Sequence, residues 1–265
     1  MNASHPAAGT GEHAVHVTRL SDTQWHALEG DRVVGHGDVS PRPDGRLFVS
    51  VDVWHAAHFA PIADAMLADL PTPLYTVVDE SDHDTAAAWE QAGFTVARRE
   101  QNYLLRTDPQ LTGPGPVRPP SGLTIVPAGE AEEGPLRALD RIVRDEVEAT
   151  VGWCTMPAEV RPRPAGDTVI DPSMYAVARH GDQYVGLLRV AQLPRQPRIG
   201  LVAVRADWQR RGVARALLSH TLDALHHRGK TSAYAEVDRS NAAATALFEG
   251  AGARPAGGSV EYVRG

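Results

Sequence analysis

Ile199-Gly-Leu-Val-Ala-Val204-Arg-Ala-Asp-Trp-Gln209-Arg-Arg-Gly212-Val-Ala-Arg215-Ala-Leu-Leu-Ser-His-Thr-Leu222 is the stretch on which the fold of this chain turns. Its first six residues are small or aliphatic and read as a buried strand. From Val213 onward, Leu217, Leu218, Thr221, Leu222 and Leu225 recur at helical spacing, and the helix is expected to end at Arg228-Gly229. A strand therefore runs through a short polar turn into a helix start. Such a start leaves several backbone N–H groups without intrahelical partners, and the helix dipole adds partial positive charge there. Gly212 lets a ligand approach without meeting a Cβ, and Arg210, Arg211 and Arg215 add full charges. Together with Gln209, Val213 and Ala214 they can form a pyrophosphate site. From these residues alone, an exposed helix start with solvated arginines reads the same way, because short glycine motifs recur by chance.

Outward from this stretch, residues 231–237 read as a buried strand, 242–250 as a helix and 259–263 as a closing strand. On that helix Asn241, Ala244 and Phe248 stand at Asn-x-x-Ala-x-x-x-Phe spacing. Asn241 can cap the helix and keep polar capacity for a ligand amide, and the small residues Ala242 to Ala244 leave room for a chain to pass. Upstream, 123–126 is a short strand, and Pro135 opens a helix whose Leu136, Leu139, Val143 and Val147 share a face. An irregular Pro-rich stretch over 157–166 and strands at 174–179 and 184–190 follow. The expected fold class is α/β of the α+β kind, with a mixed, mostly antiparallel sheet flanked by helices.

The order repeats. Gly30-Asp-Arg-Val-Val-Gly35 resembles Gly181-Asp-Gln-Tyr-Val-Gly186, and Tyr75-Thr-Val-Val-Asp79-Glu-Ser81 resembles Tyr234-Ala-Glu-Val-Asp238-Arg-Ser240. An alanine-rich helix ending in a glycine turn follows each, and Tyr103 and Tyr262 fall at matching places in a last strand. Duplication of one unit is expected. The organisation read from this is a disordered tail over 1–13, a unit over 14–110, a Pro/Gly linker over 111–121 and a second unit over 122–265, each half long enough to bury a core of its own.

In order and separation, the loop Gln209 to Ala214 and the Asn241–Ala244–Phe248 helix resemble the GNAT family of N-acetyltransferases, well over 123–265 and weakly over 14–107. The resemblance implies transfer of an acetyl group from acetyl-CoA directly to a primary amine. It implies that Val202, Ala203 and Val204 offer backbone N–H groups to the thioester, that residues 209–215 hold the pyrophosphate, and that Asn241, Ala244 and Phe248 flank the pantetheine arm. The segment Ala235-Glu236-Val-Asp-Arg-Ser-Asn241 also looks like the corresponding strand of ribosomal-protein alanine acetyltransferases, which makes Glu236 the candidate general base. The tyrosine that protonates the leaving thiolate in many relatives is replaced by Phe248; Tyr234 or Tyr262 could substitute. The first half has Trp54-His-Ala-Ala-His-Phe59 where the second has the glycine loop, so it is expected to be a degenerate companion without a cofactor site, as in mycothiol synthases. A non-catalytic acyl-CoA-binding protein is the alternative.

Other features carry less. Glu146 and Trp153 are candidates for the acceptor wall, with Glu148 beside them. Cys154 is the single cysteine, which fits a reducing cytoplasm. His55 and His58 have metal-like spacing without accompanying ligands, so no metal is expected. His226 and His227 suit a helix C-terminus. The chain has a net charge of −7 and no basic face for nucleic acid, and no apolar run or leader that would take it to a membrane. Residues 1–120 hold most of the negative excess, a field that favours a cationic acceptor. Beyond the amine acceptor, a small molecule or peptide, a homodimer stays open as a partner.

Overall fold

The structure is a computed structural model that describes residues 15–111, 117–150, 152–153, 156, 158–166, 168–193 and 195–265. The expected tail over 1–13, the centre of the expected linker at 112–116 and Cys154 lie outside these residues. Among the described residues twelve strands form one sheet, in the order β1-β2-β3-β4-β5-β12-β6-β11-β10-β9-β8-β7. In the first half the elements are β1 (Val15–Ser21), β2 (Gln24–Glu29), β3 (Arg32–Pro41), β4 (Leu47–Val53), α1 (Phe59–Asp69), β5 (Leu74–Asp79), α2 (His83–Gln91) and β6 (Thr95–Arg106). In the second they are β7 (Leu123–Val126), α3 (Glu133–Glu148), β8 (Tyr175–His180), β9 (Gln183–Ala191), β10 (Arg198–Val204), α4 (Val213–His227), β11 (Ser232–Asp238), α5 (Ala242–Gly250) and β12 (Arg254–Arg264).

This strand order is unchanged when each of β1–β6 is exchanged with the strand six places on and the order is read backwards. The hairpin glycines that matched in sequence match in conformation, Gly30 at φ 60° and Gly181 at φ 57°. All neighbouring pairs are antiparallel except β4 with β5 and β10 with β11. The two sheets expected from the repeat are one sheet, because the last strands cross over. β6 lies between β12 and β11, and β12 lies between β5 and β6.

The cores follow the strands. α1 and α2 pack on a cluster that includes Trp25, Ile62, Met66 and Trp89, and its last members, Val260 and Tyr262, come from β12. α4 and α5 pack on Val185, Leu188, Leu217 and Phe248, joined by Tyr103 and Leu105 from β6. A third cluster lies under α3, whose Leu136, Leu139 and Val143 meet Tyr175, Leu187 and Leu201. Each half was expected to bury a core of its own; instead the first two clusters each take a strand from the other half, and the third alone is built from one half. The hydroxyls of the matched tyrosines make matched bonds, Tyr103 to Glu249 Oε1 at 3.1 Å and Tyr262 to Glu90 Oε1 at 3.2 Å.

The halves differ in two places. Residues 127–174, which carry α3, have no counterpart in the first half, where only a tight turn joins β1 to β2. The loop 209–212 also has none: α1 follows its preceding single turn, Ala56–His58, directly, and its N-cap His58 is right-handed at φ −87°.

Candidate active site

The site begins where two parallel strands part. β10 and β11 pair only at Arg198 with Tyr234 and Ile199 with Ala235. At Gly200 the register of β10 against β9 shifts by one residue, and a bulge of this kind bends its strand and strengthens the local twist. Beyond it, over Leu201–Val204, β10 keeps only β9 as a neighbour, so alternate backbone N–H and C=O groups on its free edge face the gap. A cavity of about 780 Å³ fills this gap. Side chains alternate along a strand, and the cavity walls show it. Val202 and Val204 border the cluster under α4 and α5, whereas Leu201 and Ala203 border the one under α3. The cavity thus crosses the sheet between β10 and β11.

At its α4 mouth, Gln209, Arg210, Gly212, Val213, Ala214 and Arg215 line the cavity. Arg210 and Gly212 both have positive φ, 61° and 86°. For arginine this is a sparsely populated conformation, and left-handed residues in a turn of this kind can gather N–H groups into the concave arrangement that holds anions. No side chain caps α4, whose N-cap is Gly212 itself. Gln209 Nε2 donates back to the Val204 carbonyl at 3.0 Å and closes the turn. Arg211, expected among the pyrophosphate ligands, is not at the cavity wall; its guanidinium stacks 5.0 Å from the Trp208 ring, which in turn meets His180.

Along the far wall stand Asn241, Ala243, Ala244, Ala246 and Phe248. Asn241 Oδ1 accepts the Ala244 N–H at 3.0 Å and caps α5, which leaves its amide nitrogen for a ligand carbonyl. Phe248 is buried and stacked on Tyr103 at 6.1 Å. No tyrosine, histidine or cysteine is among the described residues that line the cavity. Tyr262 belongs to the other core, because β12 crosses into the first half. Tyr234 is on β11, two residues before Glu236, outside the cavity wall. Its hydroxyl is pushed up from the usual tyrosine range, chiefly by burial and then by the Glu236 charge.

Glu236 lines the cavity on β11 past the point of divergence. Sequence reasoning missed its neighbour. Arg198 Nε lies 2.9 Å from Glu236 Oε2, an ionic contact without hydrogen-bond geometry, and the same guanidinium contacts Glu159 on the turn after α3. Arginine at the first position of a strand gives no signal in sequence; the pairing register puts it beside β11. On the other side of β11, β6 of the first half sets Asn102 opposite Glu236 and Glu100 opposite Asp238. Glu100 is buried, and its carboxyl is raised from the ordinary range first by desolvation, against the lowering effect of Arg98 at 3.0 Å. An ion network continues from there through Glu261 and Arg46 to Asp44 and Arg161.

Of the two acceptor-wall candidates, Glu146 lines the cavity, and its Oε2 accepts the Ala206 N–H at 2.9 Å. Trp153 does not: its indole N–H donates to the Arg144 carbonyl at 3.1 Å and the Arg144 guanidinium lies 4.5 Å from its ring. Glu148 fixes the Trp153 backbone N–H at 3.0 Å. His55 and His58 meet edge to face at 5.8 Å, and among the described residues no group of three or more His, Cys, Asp or Glu is placed to hold a metal ion. His227 Nδ1 is 2.8 Å from the Asp223 carbonyl at the end of α4.

Comparison with known proteins agrees with this geometry. Residues 139–253 match the profile of the Acetyltransferase (GNAT) family. The chain is 51% identical over 51 residues, 19% of its own length, to a [ribosomal protein bS18]-alanine N-acetyltransferase of Escherichia coli (strain K12). It spans about a third of the length of the curated relatives it matches (34%). Among solved structures, a GCN5-related N-acetyltransferase from Sphaerobacter thermophilus is similar with a TM-score of 0.63, covering 93% of this chain and 82% of that one at 21% identity. A tandem GNAT protein from the clavulanic acid biosynthesis pathway also gives 0.63, over 91% and 82% at 17% identity. At these identities the structures speak for the fold alone. The similarity to the GNAT family of acetyltransferases thus falls on residues 139–253, the stretch that carries β10, the turn before α4, β11 and α5.

Proposed function

We propose that this protein is an N-acetyltransferase that moves an acetyl group from acetyl-CoA to a primary amine in a ternary complex. The observation that carries the reading is the cavity that crosses the sheet, with an anion-binding turn at one mouth and Glu236 at the divergence. The turn with its two left-handed residues and the open start of α4 suit the pyrophosphate, and Ala243, Ala244 and Ala246 leave width for the pantetheine arm. Acetyl-CoA brings an activated carbonyl and a thiolate leaving group. Edge N–H groups of β10 over 202–204 face the developing oxyanion, where fixed donors contribute most. Glu236 takes the amine proton, directly or through water. As the C–N bond forms and the C–S bond breaks, the thiolate leaves without a donor on the cavity wall; a thiol pKa of about 8.5 makes this tolerable near neutral pH.

The palindromic strand order supports reading residues 14–110 and 122–265 as two copies of one GNAT-like unit, the first without the loop 209–212 and so without a CoA site. Among the described residues no helix is long and apolar enough to cross a membrane, and the single cysteine is in keeping with a cytoplasmic location. Phe248, which has no proton to give, favours a second reading, a protein that binds acyl-CoA without turnover. Calorimetric titration with acetyl-CoA, followed by a screen of amines for thiol release, separates the two. Release that depends on the amine establishes the enzyme, and binding without release from any amine leaves the sensor.

A further inference from the structure

Beyond the sheet, on the side under α3, the same cavity is walled by Val143, Val147, Met156, Leu201 and Ala203. Four of these belong to the apolar cluster under α3. Among the described residues three carboxylates also reach the cavity, but two accept hydrogen bonds from their own surroundings. Glu146 accepts the Ala206 N–H, and Asp238 Oδ1 accepts the backbone N–H and hydroxyl of Ser240 at 2.9 and 2.5 Å. Glu236 is paired as well, by its Oε2 with Arg198, but through an ionic contact without hydrogen-bond geometry, and among the described residues it is the cavity acid at the divergence of β10 and β11, placed for an ammonium. The cations that line the cavity, Arg210 and Arg215, both sit at the α4 mouth. Near the α3 side, Arg198 is held by Glu236 and Glu159, and Arg144 by Asp140 at 2.6 Å and the Val160 carbonyl at 2.7 Å.

Resting on the acetyltransferase reading, we infer that the acceptor is a primary amine carried on an apolar alkyl or aryl group, with no acidic, polyhydroxylated or second cationic part. The amine meets Glu236 and its body fills the space between α3 and β10. An acceptor carboxylate there would lose its water beside like charges, with Arg198 and Arg144 already held by carboxylates. Most sugar hydroxyls would face the valine, methionine and leucine side chains, which offer them no partner. An apolar body releases water from the same wall at no such cost.

The test uses the full chain with acetyl-CoA and follows thiol release with propylamine, hexylamine, 2-phenylethylamine, 6-aminohexanoate, spermidine, glucosamine and trialanine amide. Acetyl-CoA affinity is measured separately by calorimetry. Hexylamine and 2-phenylethylamine are expected to exceed the acidic, polycationic and sugar amines by about 100-fold in kcat/KM, and each methylene from propylamine to hexylamine to add about fourfold. Met156→Lys, which supplies the missing cation, should raise 6-aminohexanoate relative to hexylamine at least tenfold; Val147→Lys serves if that variant does not fold. Equal rates for hexylamine and 6-aminohexanoate, a preference for spermidine, glucosamine or the peptide amide, or turnover of another amine with none of either apolar amine would overturn the inference, whereas acetyl-CoA binding with no release from any amine would overturn the acetyltransferase reading. Absence of acetyl-CoA binding would also remove the acetyltransferase reading on which it stands.

Discussion

Gly212 and Glu236 are the residues at which the proposed chemistry is most exposed to test. At φ 86° Gly212 sits where a side chain costs about 1 kcal/mol, and a carboxylate there would face the pyrophosphate. Gly212→Asp is therefore expected to weaken acetyl-CoA binding by more than 100-fold in calorimetry, while thermal melting stays within a few degrees of the parent. Gly212→Ala, with only the backbone cost, should lose far less. Glu236→Gln is expected to lower acceptor-dependent thiol release by about 100-fold or more, the usual range for a removed general base, with acetyl-CoA affinity unchanged. Much of this site was legible in sequence because its parts are local: a glycine loop against a helix start, and an asparagine one turn from an alanine. Arg198 and the stacking of Arg211 on Trp208 were not, since they depend on which strand lies alongside and which way a loop turns.

Between elements, the crossing of β6 and β12 does most to shape the molecule. Repeat matching put Tyr103 and Tyr262 at equivalent places in a last strand, and the structure agrees on the strand but puts each tyrosine in the other half's core. Nothing local could reveal this, because a strand with one buried face pairs equally well on its own sheet or on a related one. Tyr262→Ala is expected to cost about 3–5 kcal/mol in chemical denaturation, as for other buried aromatics cut to alanine, and Tyr262→Phe about 1 kcal/mol for the bond to Glu90. The loss should appear first as exposure of Trp25 and Trp89 in the first half, although the substitution is made near the end of the chain.

For the molecule as a whole, the two halves should be inseparable. Residues 1–110 or 122–265 produced alone would each leave an apolar core short of a strand, and are expected to be insoluble; produced together, they should co-purify as one folded complex. The ion network that joins the halves adds a pH dependence. Glu100 binds its proton more tightly folded than unfolded, because burial outweighs Arg98. Its contribution to stability is therefore complete below the ordinary glutamate range and is lost as pH rises through its raised value. The melting temperature of the parent relative to Glu100→Gln should fall over that window, and a flat difference would mean that the carboxyl stays ionised. Composition and periodicity had announced an α/β chain with a repeat; that the repeat closes into one sheet came only from long-range pairing. The bond between Glu90 and Tyr262 spans 172 positions, and β12, which the first core requires, leaves the ribosome after every other described element. Neither half can finish folding until β12 has emerged, and a chain stalled or cut before it displays unpaired strand edges in both halves at once, so that surveillance by proteases meets either a finished protein or one that is open throughout.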